Sequence, residues 1–336
     1  MKKSKKKILI KLAYSKSIGT GHFYRCIYLA KKLIKRKVEV YICKNKNFKK
    51  FEKNLLKQNK IIYLNKTKSI QDIKKFLVYY NIQNLLVDDP EFSFSLQKKI
   101  YKFVKNFFVY QDIPNKNYCD VLINHNLIAD GKKKYKNISK KNTRFLLGIN
   151  NFFLEENIKN IKKTNTKILV FFGGVAKTKL IKKVLEVLSN NKLKNYKFHF
   201  IIGKLSRVNS SIIKTYKSKR IKISYSIKQK KFHKLIKKSK FIICSGGTTL
   251  MEAIIFRTFP FVIQTANNQK YNISNLKKKR RIIYIGKQNF KKNFLISNLI
   301  SILSKHNIKL KYKYKKKINM NFVNSLSNKV YECLNI

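Results

Sequence analysis

Short apolar runs alternate with amphipathic segments along this chain. Runs at 8–13, Val38 to Cys43, Ile61 to Leu64, Leu85 to Asp88 and Phe107 to Tyr110 have the length and β-branched or aromatic content of strands. Between them, 22–36, 48–58, 69–81 and 93–105 carry apolar residues at helical spacing. Strands that are apolar throughout and separated by helices imply a parallel sheet covered on both faces. Cys119 to His125 and Phe145 to Gly148 read as short strands closing this series, and the polar stretch from Asp130 to Thr143 reads as a loop.

After a Lys/Asn/Thr-rich link near 159–166 the rhythm restarts, with strands at Ile168 to Phe172, Phe198 to Ile202, Ile221 to Tyr225, Phe241 to Cys244, Phe261 to Gln264 and Ile282 to Ile285. The expected architecture is α/β: two Rossmann-like domains with parallel sheets facing across a cleft. The boundaries fall at 1–155 for the first domain, 165–318 for the second and 319–336 for a C-terminal helix packing back on the first. A length of 336 residues suits two domains, since single cores rarely grow past about 250 residues.

Both halves open with a strand that runs into glycines. In the first, Ile18-Gly19-Thr20-Gly21-His22-Phe23-Tyr24-Arg25-Cys26 turns from strand to helix. Gly19 and Gly21 let the backbone turn sharply and a ligand come close, and the helix start offers unpaired N–H groups. His22 is the side chain there that exchanges a proton near neutral pH, and Arg25 follows one turn later on the same face. In the second half, Gly173-Gly174 follows a strand in the same way. Cys244-Ser245-Gly246-Gly247-Thr248-Thr249-Leu250-Met251-Glu252 then runs from strand through a double glycine into a helix. The N–H groups of Gly247, Thr248 and Thr249 suit a diphosphate, and Glu252, one turn on, suits a sugar diol. Asn268 ends a further strand among amides.

Each of these residues also has a structural reading. Arg25 either binds substrate or forms an ion pair, and Asp88 and Asp89 either reach a sugar or cap the next helix. His125, after an apolar run, fits a satisfied interior histidine better than a ligand.

The net charge of +65 points toward nucleic acid, but the excess is lysine: 71 Lys against 8 Arg, spread over every helix. Arginine does most base and phosphate reading, so the imbalance fits a codon bias, with only nonspecific adhesion to acidic polymers at low salt. No specific nucleic-acid partner is expected. The five cysteines have no CxxC spacing and read as buried thiols of a reducing, cytoplasmic compartment. No run of 18 apolar residues suggests a membrane span, and no ligand cluster suggests a metal or other cofactor.

The pattern I-G-x-G-H-x-x-R-C-x-x-L-A is followed in order by Leu86-Val87-Asp88-Asp89, Cys119-Asp120-Val121-Leu122-Ile123-Asn124, Phe145-Leu146-Leu147-Gly148, Gly173-Gly174, Gly246-Gly247-Thr248-Thr249 with Glu252, and Asn268-Gln269. Together these resemble the UDP-sugar hydrolases of pseudaminic acid biosynthesis, over roughly residues 8 to 290. The resemblance implies a two-domain glycosyltransferase-B fold and hydrolysis of UDP-2,4-diacetamido-2,4,6-trideoxy-β-L-altropyranose to UDP and free sugar; the chain is expected to be a monomer. It puts the catalytic base on His22. Gly19, Gly21, Arg25, Asp89 and Asn268 fall to the sugar, and Gly173, Gly174, Gly246, Gly247, Thr248, Thr249 and Glu252 to UDP. The chain departs from the family at Lys11 and Ala13, where Arg and Asp are usual, and at Pro90, where an aromatic hydroxyl is usual. A glycosyltransferase of the same fold, or a binding protein without turnover, are the competing expectations.

Overall fold

The apolar runs become strands of two separate parallel sheets in the computed structural model, which describes residues 5–13, 21–64, 67, 69–128, 131–152, 154, 163, 167–303 and 325–334. Seven strands form the first: β1 (Lys7–Leu12), β2 (Glu39–Cys43), β3 (Ile62–Tyr63), β4 (Asn84–Asp88), β5 (Asn106–Tyr110), β6 (Val121–Asn124) and β7 (Arg144–Leu147), in the order β3-β2-β1-β4-β5-β6-β7. Six form the second: β8 (Ile168–Phe171), β9 (Phe198–Ile202), β10 (Ile221–Tyr225), β11 (Phe241–Ser245), β12 (Phe259–Gln264) and β13 (Ile283–Lys287), in the order β10-β9-β8-β11-β12-β13. Each strand pairs in parallel with its neighbours.

Burial on both faces explains the unbroken apolar runs. In β1, Ile8, Ile10 and Leu12 point into one cluster with the helix Gly21–Ile34, while Leu9 joins another under the helices Ile70–Tyr79 and Phe94–Tyr101. The Gly21–Ile34 helix buries Phe23, Cys26, Ile27, Leu29, Ala30 and Leu33. Each large apolar side chain so buried stabilises by about 1.5–3 kcal/mol, which holds the start of this helix against the end of β1. In the second sheet, Ile168 and Val170 pack with the helices Thr178–Leu188 and Lys292–Leu303.

The chain divides into two compact units, residues 1–155 with 321–336 and residues 156–320. The helix Ser325–Cys333 therefore belongs to the first unit: Leu326, Val330 and Cys333 enter the cluster beneath the Gly21–Ile34 helix, and Ser325 Oγ donates to the Asn150 carbonyl at 3.0 Å.

One local expectation is corrected. The stretch read as a loop from Asp130 to Thr143 holds a short helix, Gly131–Lys136. Its five-residue run of Lys and Tyr shows no apolar face, yet Tyr135 is fully buried and its hydroxyl accepts from Asn124 Nδ2 at 2.8 Å, and this one anchor holds the turn in place.

Candidate functional site

In an open parallel sheet, ligands bind past the carboxyl ends of the strands where the strand order reverses. In the first sheet that point lies between β1 and β4, where Leu12 pairs with Asp88. The Gly21–Ile34 helix starts there, so His22 and Arg25 come down onto the end of β4.

A network of charges results. His22 Nδ1 lies 2.6 Å from Asp88 Oδ1. Arg25 Nε donates to Asp88 Oδ2 at 2.6 Å, Nη2 donates to Asp88 Oδ1, and Nη1 donates to Asp112 Oδ1 at 2.7 Å. The guanidinium carbon stands 3.9 Å from the centre of the Tyr110 ring, and Cys26 Sγ donates to Asp88 Oδ2 at 3.3 Å. Asp88 is wholly buried, His22 keeps 9% of its side chain exposed and Asp112 keeps 17%. Two bare acceptors do not approach to 2.6 Å, so Nδ1 is assigned a proton, and Arg25 Nη2, 2.9 Å from Nδ1, is assigned to the Asp88 carboxylate instead. The lone pair is then on Nε2.

Burial opposes the charge on Asp88, but Arg25 and His22 outweigh it and hold the carboxyl well below the usual range. Asp112 is lowered in the same way, with Arg25 and His22 acting against burial. Burial, aided by the Arg25 charge, pushes His125 down to about 3, so that this imidazole is neutral. His125 is buried, hydrogen-bonded to the Tyr110 hydroxyl and edge-on to Phe152.

Gly19 lies outside the described residues, whereas Gly21 begins the helix. Asp89 faces away from His22 chemistry: its Oδ2 pairs with Lys11 Nζ at 2.7 Å, both side chains being nearly inaccessible, and its Oδ1 caps the Glu91 N–H at 3.0 Å. Lys11 is thus the partner of Asp89.

In the second sheet the order reverses between β8 and β11, and both glycine turns follow those strands. Gly173 has a φ of +90°, a conformation that favours glycine, and space lies open where a side chain would be. Gly203, which the sequence reading passed over, supports this turn: a Cβ there would sit 2.1 Å from the Gly173 carbonyl oxygen. Gly174 accepts from the Leu205 N–H at 2.9 Å. Across the reversal point, Gly246 donates its N–H to Gln269 Oε1 at 3.1 Å, and the same oxygen accepts from Thr265 N at 2.9 Å. Gly247 caps the helix Thr248–Ile255: its carbonyl accepts from Leu250 N–H at 3.0 Å, and the N–H groups of Thr248 and Thr249 precede the first intrahelical bond. Thr248 is exposed, Thr249 is buried, and no acidic residue occupies the first turn, an arrangement that favours an anion.

Glu252 is buried, with Oε1 2.9 Å from Gln229 Nε2 and 3.0 Å from His233 Nε2. Asn268 is exposed in the turn Asn267–Gln269. The residue of this network that the sequence reading missed is Asp112, and its signal was positional: it lies just beyond β5. Among the described residues, no group of three His, Cys, Asp or Glu could hold a metal ion, and no helix is long and apolar enough to cross a membrane.

Comparison with known proteins agrees with this layout. Residues 168–330 match the glycosyltransferase family 28 C-terminal domain. The chain is similar in structure to UDP-GlcNAc 2-epimerase from Neisseria meningitidis bound to UDP-GlcNAc, with a TM-score of 0.64 at 12% identity over 98% of this chain and 99% of that one. It is similar to Phytolacca americana UGT2 complexed with UDP-2fluoro-glucose and pterostilbene, with a TM-score of 0.62 at 12% identity over 100% and 95%. Acinetobacter baumannii MurG gives 0.57 at 10% over 97% and 95%. No curated protein matches significantly. The fold is the glycosyltransferase-B fold, built from two Rossmann-like units.

Proposed function

We propose that this chain is an enzyme of UDP-sugar chemistry, and specifically that it hydrolyses a UDP-activated 2,4-diacetamido-2,4,6-trideoxy hexose with His22 as general base. One observation carries the reading: Asp88 Oδ1 lies 2.6 Å from His22 Nδ1, the contact that selects the tautomer with its lone pair on Nε2. A buried carboxylate that fixes the tautomer and then stabilises the imidazolium is the established way to make an imidazole a competent base. The reaction balances simply. Water oxygen bonds to the anomeric carbon, its proton goes to His22 Nε2, and the bond from that carbon to the diphosphate oxygen breaks with its electrons on UDP. Backbone N–H groups at Gly247, Thr248 and Thr249 are suited to the charge that develops on the leaving diphosphate. The ordered motifs shared with the pseudaminic acid hydrolases support this substrate.

A second reading has its own support. The match of residues 168–330 to a glycosyltransferase family favours transfer of the sugar to a hydroxyl, for which the same base serves. Incubating purified protein with the UDP-trideoxy sugar in acceptor-free buffer separates the two. Stoichiometric free sugar and UDP is the expected result, and UDP release that starts only when an acceptor is added would overturn hydrolysis in favour of transfer.

A further inference from the structure

The base is not alone at its reactive face. Asp112 Oδ2 lies 3.4 Å from His22 Nε2, while Asp112 Oδ1 is taken by Arg25 Nη1 at 2.7 Å and approached by Asn126 Nδ2 at 3.5 Å. A separation of 3.4 Å is longer than a normal N–H to O bond: the contact is an ion pair when the ring is protonated, and with Nε2 deprotonated the two atoms are acceptors standing side by side. Asp112 is also the more open carboxylate of the network, whereas Asp88 is sealed.

We propose that His22 Nε2 and Asp112 Oδ2 together seat the nucleophile, and that this pair of acceptors selects water over an alcohol. The inference rests on the hydrolase reading and deepens it. Water has two O–H donors, so one points at Nε2 and is removed while the other points at Oδ2 and stays. An alcohol has one O–H and cannot satisfy both acceptors. Two bonds of about 2.8 Å from one oxygen to acceptors 3.4 Å apart subtend roughly 75°. That is narrower than the angle of a water molecule by roughly 30°, so each hydrogen bond bends by about 15° and stays within the favourable range. With an alcohol bound, its alkyl group would face a carboxylate that Arg25, against burial, keeps ionised. The proton balance is that of simple hydrolysis: Nε2 takes one proton, and Asp112 keeps its charge throughout.

The test is product partition in methanol–water mixtures, with the UDP-trideoxy sugar as substrate and free sugar and methyl glycoside both quantified. The wild-type chain should give free sugar almost exclusively. Asp112→Ala should lower kcat and raise the methyl glycoside fraction roughly tenfold or more, the worth of one hydrogen bond to a charged group. Asp112→Asn preserves an oxygen for Arg25 and replaces Oδ2 by an amide; it should show the same rise, which guards against misfolding of the alanine variant. UDP binding and thermal melting confirm that each variant is folded. If both variants partition as the wild type does, whatever their kcat, Asp112 has no part in choosing the nucleophile. If the wild type releases no UDP at all, the function proposed above fails instead.

Discussion

Replacing Asp88 by Asn isolates the group on which the first-unit network turns. The carboxylate, itself with no solvent exposure, receives His22 Nδ1 at 2.6 Å, Arg25 Nε at 2.6 Å, Arg25 Nη2 and the Cys26 thiol. Asparagine is isosteric but has one acceptor oxygen and one NH2 group. If the oxygen faces Arg25, the NH2 faces His22 and forces the lone pair onto Nδ1, which puts the ring proton on Nε2 and disables the base. If the oxygen faces His22 it still accepts from Arg25 Nη2, but the NH2 meets Arg25 Nε and a buried cation loses half its counter-charge. Removing one partner of a buried ion pair costs about 3–5 kcal/mol, and the wrong tautomer costs about 10⁴-fold in kcat where the same dyad has been tested in hydrolases. The rate loss corresponds to about 5.5 kcal/mol, so both effects are of similar size and must be read separately. Urea unfolding gives the first, and UDP release normalised to folded protein gives the second. A folded Asp88→Asn protein with kcat within threefold of wild type would refute the dyad reasoning outright.

Acid stability follows from the same groups. Asp88 and Asp112 both have lowered native pKa values, so the unfolded chain binds more protons as pH falls below about 5, and stability rises with pH through that window. The contribution is complete above about pH 5 and is lost as pH falls toward the native values, so Asp112→Asn should flatten the acid limb of the urea midpoint measured against pH. Gly203→Ala should displace the turn at Gly173 and Gly174, because the new Cβ meets backbone at 2.1 Å; a loss of about 1–3 kcal/mol in unfolding and weaker UDP binding by calorimetry are expected. The five cysteines are all buried and burial pushes each thiol up, so the native protein should react with a thiol reagent only as fast as it opens.

Much of the sheet framework was legible because parallel strands buried on both faces must be apolar at every position, as β4 is from Asn84 through Asp88 apart from its polar ends. The helix at Gly131–Lys136 was not legible, since one buried tyrosine among lysines carries no period. At the site, His22 was legible because glycines and a helix start flank it in sequence. Its partners were not: Asp88 is 66 residues away and joins it only through the pairing of β1 with β4, and Asp112 meets Arg25 across 87 residues. Arg25 could be read as a substrate ligand or as an ion-pair partner until the network showed its guanidinium committed to Asp88, Asp112 and Tyr110. Glu252 was legible as a residue on the turn after the double glycine, but its contact with His233 comes from a separate helix and has no sequence signature.

The most direct measurement of the central claim is acceptor-free UDP release by the wild-type chain and by His22→Ala at equal UDP occupancy. A loss of about 10²–10⁴-fold in kcat with UDP affinity retained is the predicted result. Equal turnover by the two proteins would contradict it.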